Sequence, residues 1–220
     1  MIAPPGVPCF LRGTLILTGK GEIPVERISV GDLVVTEKGA SLPVKWIGRR
    51  RFKKDAASNW PKGFMPVRVS RHALDGRTPH TDLYLSPNHS LFIDGVLIPV
   101  VHLINGESIT QAVPDSVQEI EYFHIELETH EVVFAEGAPV ETLLVTTDRE
   151  GFDNFIEYER LYGNSNRQPM TPYAPIVGYN GRRSEFIAKL RRAASTVVDT
   201  RNPIQVAFDR IAARAREVVE

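Results

Sequence analysis

Short runs of β-branched and aromatic residues, separated by turn-forming pairs, constrain the fold of this chain most strongly. These residue types favour extended strands, and the turns between them are too closely spaced for intervening helices. Asp94-Gly95 stands between two apolar runs, which is a strong signal for a tight hairpin. The predicted strands cover residues 14–17, 33–36, 44–47, 67–69, 83–85, 91–93, 96–100, 123–127 and 132–134. The pattern therefore predicts an all-β unit between about residues 9 and 145.

The stretch 49–63 interrupts this pattern because it is polar and basic. We expect it to be a surface loop. A nucleic-acid-binding patch is the weaker alternative, since a run of charges is usually a solvated face.

Beyond residue 145 the character of the sequence changes. Turn-forming residues accumulate up to residue 181, which predicts a linker or wrapping arm over 146–181. Two helices are predicted after it. Ser184 caps the first, whose apolar residues follow a 3.6-residue period to about Asp199. Asn202 caps the second, with Pro203 at its first position and Gln205 completing a capping box.

Residues 182–220 contain nine basic and five acidic residues, a net excess of four positive charges. One interpretation is a helical hairpin that packs on the β unit and exposes its arginines. The alternative is a docking surface for an acidic protein partner. Both remain open at the level of sequence.

Overall composition limits the functional classes that fit. A formal net charge of -1 gives no general bias toward nucleic acid or an anionic membrane. A single cysteine excludes an internal disulfide framework and a cysteine-based zinc site. The spacing of His72, His80 and His102 carries no metal-site signature, so neither a metal nor a cofactor is expected.

No secretory signal and no apolar run of about 20 residues is visible, so the cytoplasm is the default location. Export without a signal would leave no trace in the sequence.

The single thiol, Cys9, and a distant imidazole, His89, meet the requirement for sulfur nucleophilic chemistry. In such a site the imidazole either deprotonates the thiol or protonates the leaving group. The alternative for Cys9 is a buried small hydrophobic residue, which is the usual role of a free cysteine.

Three blocks of sequence, in order, resemble Hint domains, the autoprocessing modules of hedgehog proteins and inteins. Cys9-Phe10 and Gly13-Thr14, with the stretch up to residue 32, resemble the opening block. Ser86-Pro87-Asn88-His89, within 83–92, resembles the second block, and 122–137 resembles the closing one. The likeness is strongest to the bacterial intein-like subgroup.

The resemblance implies a compact horseshoe of β-strands and an N-to-S acyl shift. The Cys9 thiolate would attack the carbonyl of Pro8 and collapse to a thioester. His89 would protonate the amide nitrogen of Cys9, without needing a large change in its pKa. Ser86 would hydrogen-bond the scissile amide and hold it away from planarity.

His124 occupies a position where inteins often carry an aspartate that contacts the thiol. The resemblance implies that it is the base that generates the thiolate. The alternation along 123–128 leaves an alternative, in which His124 lies on the solvated face of a strand. His130, near a turn, is the weaker candidate.

The chain departs from inteins in three ways. The place of the terminal histidine-asparagine pair reads Val140-Glu141-Thr142-Leu143, so no asparagine can cyclise and splicing is not expected. Only eight residues precede Cys9, so the thioester would carry a peptide. Pro8 is rigid and would slow the shift.

The expected organisation is a short leader at 1–8, a Hint-like autoprocessing domain at 9–145, the linker or arm at 146–181 and a helical tail at 182–220. The leading hypothesis is single-turnover self-cleavage at Pro8–Cys9, with the amino-terminal peptide as substrate and water or an external thiol or amine as the resolving nucleophile. The alternative is a cleavage-inactive Hint-type scaffold that binds a protein partner through its basic carboxy-terminal helices. A third option, a cysteine hydrolase acting on external substrates, lacks a substrate-binding signature.

Overall fold

The computed structural model describes residues 7–54, 60, 63–114, 117–145, 149–163, 169–178 and 202–217. Within these residues the chain forms 14 strands. They are β1 Phe10–Leu11, β2 Leu15–Thr18, β3 Gly21–Pro24, β4 Leu33–Val35, β5 Ser41–Pro43, β6 Trp46–Lys53, β7 Val67–Val69, β8 Leu83–Leu85, β9 Ser90–Ile93, β10 Val96–Pro99, β11 Ile109–Gln111, β12 Glu119–Glu126, β13 Val132–Ala135 and β14 Ala138–Glu141.

The strands form two antiparallel sheets. One has the order β11-β7-β8-β1-β12-β6, and the other has the order β10-β9-β14-β13-β2-β4-β5, with β3 paired to β2. The helices are α1, Phe155–Tyr162, and α2, Pro203–Glu217, with 3-10 turns at Val25–Arg27, Val100–Leu103 and Arg149–Gly151. The predicted fold class, an all-β horseshoe with a carboxy-terminal helical extension, is confirmed. None of the helices in the described ranges is long and apolar enough to cross a membrane.

The hairpin between β9 and β10 follows directly from its turn sequence. Asp94 and Gly95 have φ of 50° and 80°, and they join β9 to β10 with Ile93 paired to Val96. Both positions require a positive φ, which Asp and Gly adopt more readily than most residues. The prediction of a hairpin at Asp94-Gly95 is therefore confirmed.

The expectation of a surface loop over 49–63 is wrong for its first part. Arg49 to Lys53 belong to β6, which pairs with β12 along all eight of its residues. Exposed Arg49, Arg51 and Lys53 alternate with half-buried Arg50 and Phe52. The charges concealed a period-2 pattern, because the long basic side chains cover the solvated face of a strand whose other face is packed.

Several short strands were not predicted: β1, β3, β5, β11 and β14. They have two to four residues each, and three of them contain proline. A proline lowers strand propensity in the sequence but is tolerated at strand ends and edges. Pairing with neighbours distant in sequence defines these strands.

Strand β1 separates two apolar clusters. Phe10 belongs to the larger cluster between the sheets, whereas Cys9 and Leu11 belong to a second cluster with Trp46 and Tyr122. This division follows from the alternation of side chains along a strand.

The stretch 146–181, expected as a linker or wrapping arm, contains helix α1, which the sequence pattern did not indicate. Its described residues 169–178, hereafter the strap, lie against β10. Leu97 donates to the Pro175 carbonyl at 2.9 Å and accepts from the Val177 amide at 2.9 Å. The division of the chain into domains stays a prediction.

Helix α2 begins where it was predicted to begin. Asn202 accepts a hydrogen bond from the Ile204 amide at 3.0 Å, and Pro203 is the first helical residue. Gln205 does not complete a capping box as expected, since its amide donates to Asp209 at 2.7 Å along the helix. The first predicted helix, from Ser184 to Asp199, lies outside the described residues.

The arginines of α2 contact the β unit. Arg210 pairs with Asp94 at 2.9 Å, and Arg214 donates to the Leu74 carbonyl at 2.6 Å. Ala207 and Ile211 are buried against the larger core. These contacts favour the packed helical extension over a free arginine face for the described part of the tail.

Candidate functional site

The backbone amide of Cys9 is held by Ser86, the residue that follows β8. The Cys9 N–H donates to the Ser86 hydroxyl at 2.7 Å, and the Ser86 N–H donates to the Cys9 carbonyl at 2.9 Å. The same hydroxyl donates to the Val7 carbonyl at 3.1 Å. Pairing of β1 with β8 at Phe10 and Leu85 sets this register. Ser86 therefore forms hydrogen bonds with backbone groups on both sides of the Pro8–Cys9 peptide bond.

The turn from Ser86 to His89 carries the imidazole over β1. The His89 N–H donates to the Ser86 carbonyl at 3.0 Å, and the Pro87 carbonyl accepts from Val101 at 3.0 Å. The His89 ring is fully buried, with its centroid 4.4 Å from that of Phe10 at an interplanar angle of 62°. Two residues adjacent in sequence, Cys9 and Phe10, thus contact the two ends of this turn.

The hydrogen bonds of His89 define its tautomer. Nε2 lies 2.9 Å from the Glu141 carbonyl, and a carbonyl can only accept, so Nε2 carries the proton. In the neutral ring Nδ1 is then an unprotonated acceptor, and it has no hydrogen-bond partner among the described residues. Burial lowers the pKa of His89, and the nearby Glu141 carboxylate opposes this effect.

His124 completes a pair of buried imidazoles. Phe10 pairs with Phe123 and Leu11 with Tyr122, and continuing this register by one residue brings Cys9 opposite His124. The rings of His89 and His124 lie 4.8 Å apart and nearly perpendicular. His124 is fully buried, so the alternative that placed it on a solvated face is wrong.

Neither ring nitrogen of His124 has a hydrogen-bond partner in the described part of the chain. Burial, with contributions from His89 and His130, lowers its pKa well below the ordinary value of 6.5. His124 is therefore neutral at physiological pH, with one nitrogen able to accept a proton.

The Cys9 thiol is 1% exposed and packs in the apolar cluster that includes Leu11 and Tyr122. Burial raises its pKa, and the positive charge of Arg50 acts in the opposite direction. The resting thiol is consequently neutral. Forming the thiolate requires a base at the site, because a buried sulfur does not ionise unaided near neutral pH.

The remaining histidines separate into one that joins the site and three that do not. His130 is buried beside Glu141, with Nε2 at 3.4 Å from a carboxylate oxygen. His80 is half-exposed and pairs with Glu22 at 2.7 Å. His72 and His102 also lie outside the site. In the ranges that the structure describes, no group of three or more histidine, cysteine or acidic residues is arranged to hold a metal.

Glu141 is the site residue that sequence reasoning missed. It drew attention only because it stands where inteins carry their terminal histidine-asparagine pair. The available signal was a carboxylate next to buried Val140 at the end of a strand. An acidic residue in such a place is rarely fully buried without a specific partner.

The two antiparallel sheets and the pairing of the Cys9 amide with the Ser86–His89 turn define a Hint-type domain. The sequence profile of the family described as Hint domain, Hint_2, matches residues 8–147. This is more than half of the chain, and the chain belongs to the Hint-domain family.

Solved structures with a similar fold are inteins and an intein-like domain. The gp41-1 intein has 15% identity and a TM-score of 0.43, covering 61% of this chain and 98% of its own. The bacterial intein-like domain from Clostridium thermocellum has 16% identity and a TM-score of 0.42, covering 61% and 98%. A DnaB intein from Synechocystis sp. PCC 6803 has 10% identity and a TM-score of 0.40, covering 62% and 99%. No curated protein sequence matches the chain.

Proposed function

We propose that this chain cleaves its own backbone at the Pro8–Cys9 bond through an N-to-S acyl shift. The Cys9 sulfur attacks the Pro8 carbonyl carbon, forming a C–S bond and a tetrahedral intermediate. The C–N bond to Cys9 then breaks, and the proton lost by the thiol ends on the Cys9 nitrogen. The product is a thioester at Pro8 and a free amine at Cys9.

The observation that carries this proposal is the hydrogen bond from the Cys9 N–H to the Ser86 hydroxyl at 2.7 Å. A peptide bond is protected by amide resonance, and the reaction needs its nitrogen both fixed and close to a proton source. Ser86 fixes that nitrogen at the start of the turn that ends in His89. No comparable network is needed if Cys9 is only a small hydrophobic core residue.

The two imidazoles supply the proton transfers in this proposal. Neutral His124 accepts the thiol proton, and the adjacent His89 ring delivers a proton to the Cys9 nitrogen from Nδ1. Burial lowers the pKa of His89 below its ordinary value, so its neutral form is favoured at rest. A protonated His89 is then transient, which makes the thiol, through His124, its proton source.

Resolution of the thioester completes the cycle. Water, a thiol or an amine attacks the Pro8 carbonyl, the C–S bond breaks, and the Cys9 sulfur takes up a proton. The absence of asparagine from 140–143 leaves no route to carboxy-terminal cleavage by cyclisation. The products are therefore the segment that precedes Cys9 and a domain that begins with Cys9, without splicing.

The direct test is intact mass spectrometry of the full chain, incubated with and without dithiothreitol. We expect a time-dependent loss of the mass of residues 1–8, accelerated by the thiol. Cys9→Ala removes the nucleophile and should retain the full mass under all conditions. A wild-type chain that keeps its own full mass after prolonged incubation with the thiol, as Cys9→Ala does, would overturn the proposal.

One observation favours a second candidate, a Hint-type scaffold that does not cleave and binds a protein partner. The Cys9 thiol is almost completely buried in apolar packing, which also suits an inert residue. The interaction would use residues 182–220, whose net charge is positive. An affinity capture that loses its acidic partner when these residues are deleted, in a chain that retains its full mass, would support this alternative.

A further inference from the structure

We propose that Glu141 is a positioning residue for His89, and that Tyr173 of the strap fixes the tautomer of His130, the ring that faces the Glu141 carboxylate. Glu141 holds His89 in the tautomer with Nδ1 free and places a negative charge beside the ring. The role of Glu141 in proton transfer rests on the proposed function. The tautomer of His89 and the effect of the Glu141 charge on its titration can be tested without cleavage.

Three contacts define the position of Glu141 at the end of β14. Its side chain is buried, and one carboxylate oxygen accepts from the Ser90 amide at 2.8 Å. The other carboxylate oxygen faces His130 Nε2 at 3.4 Å. Its backbone carbonyl accepts from His89 Nε2 at 2.9 Å. One residue therefore contacts His89 through the backbone and shapes its surroundings through the side chain.

The strap determines the tautomer of His130. The Tyr173 backbone N–H donates to His130 Nδ1 at 2.9 Å, so Nδ1 is an unprotonated acceptor. The proton of the neutral ring is then on Nε2, facing the Glu141 carboxylate. No lysine or arginine in the described ranges pairs with Glu141, so its charge remains available to His89.

The charge of Glu141 acts on the His89 ring. A buried imidazole resists protonation, and a nearby carboxylate is the feature that favours the charged ring. The other titratable groups around His89 are His124 on β12, His130, and the Cys9 thiol. Among the charged side chains around His89, the Glu141 carboxylate is the one that favours the imidazolium that His89 must become while it carries a proton.

This arrangement connects a segment outside the Hint match to the site. Tyr173 lies beyond residues 8–147, and the strap is held by Leu97 on β10 and by the Tyr173 hydroxyl, which donates to Glu37. The Tyr173 hydrogen bond therefore fixes the orientation in which the Nε2 edge of His130 faces the Glu141 carboxylate.

The experiment uses the full chain carrying Cys9→Ala, so that its result does not depend on cleavage. Histidine-selective ¹⁵N NMR reports which ring nitrogen carries the proton and the pH at which each ring titrates. We expect protons on Nε2 of both His89 and His130 in this parent protein. A proton on Nδ1 of either ring would overturn the proposal without any further variant.

Glu141→Gln in the same background removes the charge and keeps both the backbone carbonyl and an acceptor for Ser90. We expect the Nε2 proton of His89 to remain and its titration midpoint to move to lower pH. Glu119→Gln, at an exposed position on β12, is the matched control and should leave the midpoint unchanged. Equal midpoints for the two variants would refute the electrostatic role of Glu141. If Glu141→Gln fails to fold, Glu141→Asp keeps the charge and should retain the parent's midpoint, and a lower one would count against the proposal.

Discussion

Cys9 and Ser86, separated by 77 residues, are joined by two hydrogen bonds: from the Cys9 N–H to the Ser86 hydroxyl at 2.7 Å, and from the Ser86 N–H to the Cys9 carbonyl at 2.9 Å. The amide that the proposed reaction must break is therefore fixed to the β8 turn in the resting protein. A reaction that starts from a fixed amide avoids part of the entropy of assembling its groups.

Replacing Ser86 by alanine should affect both stability and cleavage. The variant leaves the buried Cys9 N–H without its acceptor, which costs about 1–3 kcal/mol in the free energy of unfolding. Urea denaturation of Ser86→Ala in the Cys9→Ala background measures this loss, because neither protein can cleave there. Ser41→Ala, at an exposed position on β5, is the control and should change stability by no more than about 0.5 kcal/mol.

In the cleaving chain, Ser86→Ala should also slow the thiol-induced loss of residues 1–8. The mass-spectrometric assay measures this rate. A variant that folds normally and cleaves at the wild-type rate would exclude Ser86 from the reaction.

The buried Cys9 thiol should react slowly with alkylating reagents. Its pKa is raised by burial, so the thiolate that attacks iodoacetamide is scarce, and solvent access is minimal. We expect labelling of the native protein near neutral pH to be at least about 100-fold slower than labelling in denaturant. Mass spectrometry of quenched samples gives both rates, and comparable rates would show that the thiol is accessible in the native state.

The two buried imidazoles should make the protein sensitive to mild acid. Burial lowers the pKa of both His89 and His124 in the folded state below the ordinary value of 6.5. The unfolded chain therefore binds these protons first, and stability, complete above about pH 6.5, falls as the pH decreases toward the folded-state values. Chemical denaturation between about pH 7 and about pH 5 should show this decline.

His124→Gln removes one titrating group and should reduce the slope of that decline, by up to about 1.4 kcal/mol per pH unit. His102→Gln, at an exposed position, is the matched control. An unchanged slope in His124→Gln would contradict the assignment of a depressed pKa to His124.

A buried ion pair should anchor the segment that follows the Hint match. Arg149 donates to both carboxylate oxygens of Glu126 at 2.7 Å, and the Glu126 side chain is fully buried. Among the described residues, Arg149→Met leaves this carboxylate with Lys45 at 3.9 Å as its remaining cationic partner, so we expect a loss of about 3–5 kcal/mol in the free energy of unfolding. Arg160→Met, on the exposed face of α1, is the control. A loss below about 1 kcal/mol in Arg149→Met would show that the pair does not anchor the segment.

The all-β fold could be predicted because strand residues and turn pairs alternate along the sequence. Asp94-Gly95 illustrates this, since both the turn type and the strand register follow from two residues. The strand predicted over 44–47 covers the start of β6, but the rest of β6 was missed because Arg49 to Lys53 look like a charged loop until pairing with β12 gives them a solvated face and a packed one. Helix α1 was missed because its short apolar pattern lies among turn-forming residues.

The positions of Ser86 and His89 could be predicted from the resemblance to Hint domains, and the structure brings both next to β1. Their roles, and those of Cys9 and His124, remain predictions. The part played by Glu141 was not predictable, because it depends on His130 and on Tyr173, which lies 43 residues beyond His130 in the sequence. Sequence patterns show local periodicity, but they do not show that the Tyr173 amide fixes the tautomer of His130.

In the proposed reaction Cys9 carries an acyl group derived from Pro8, and a strong nucleophile can trap that group. Hydroxylamine attacks thioesters at neutral pH far faster than peptide bonds, so the full chain is incubated with it and the products are identified by tandem mass spectrometry. We expect a peptide ending in a Pro8 hydroxamate, together with a protein that begins with Cys9, and neither product from Cys9→Ala. An intact Pro8–Cys9 bond in every molecule after incubation, with a spectrum showing a folded protein, would contradict the proposed reaction.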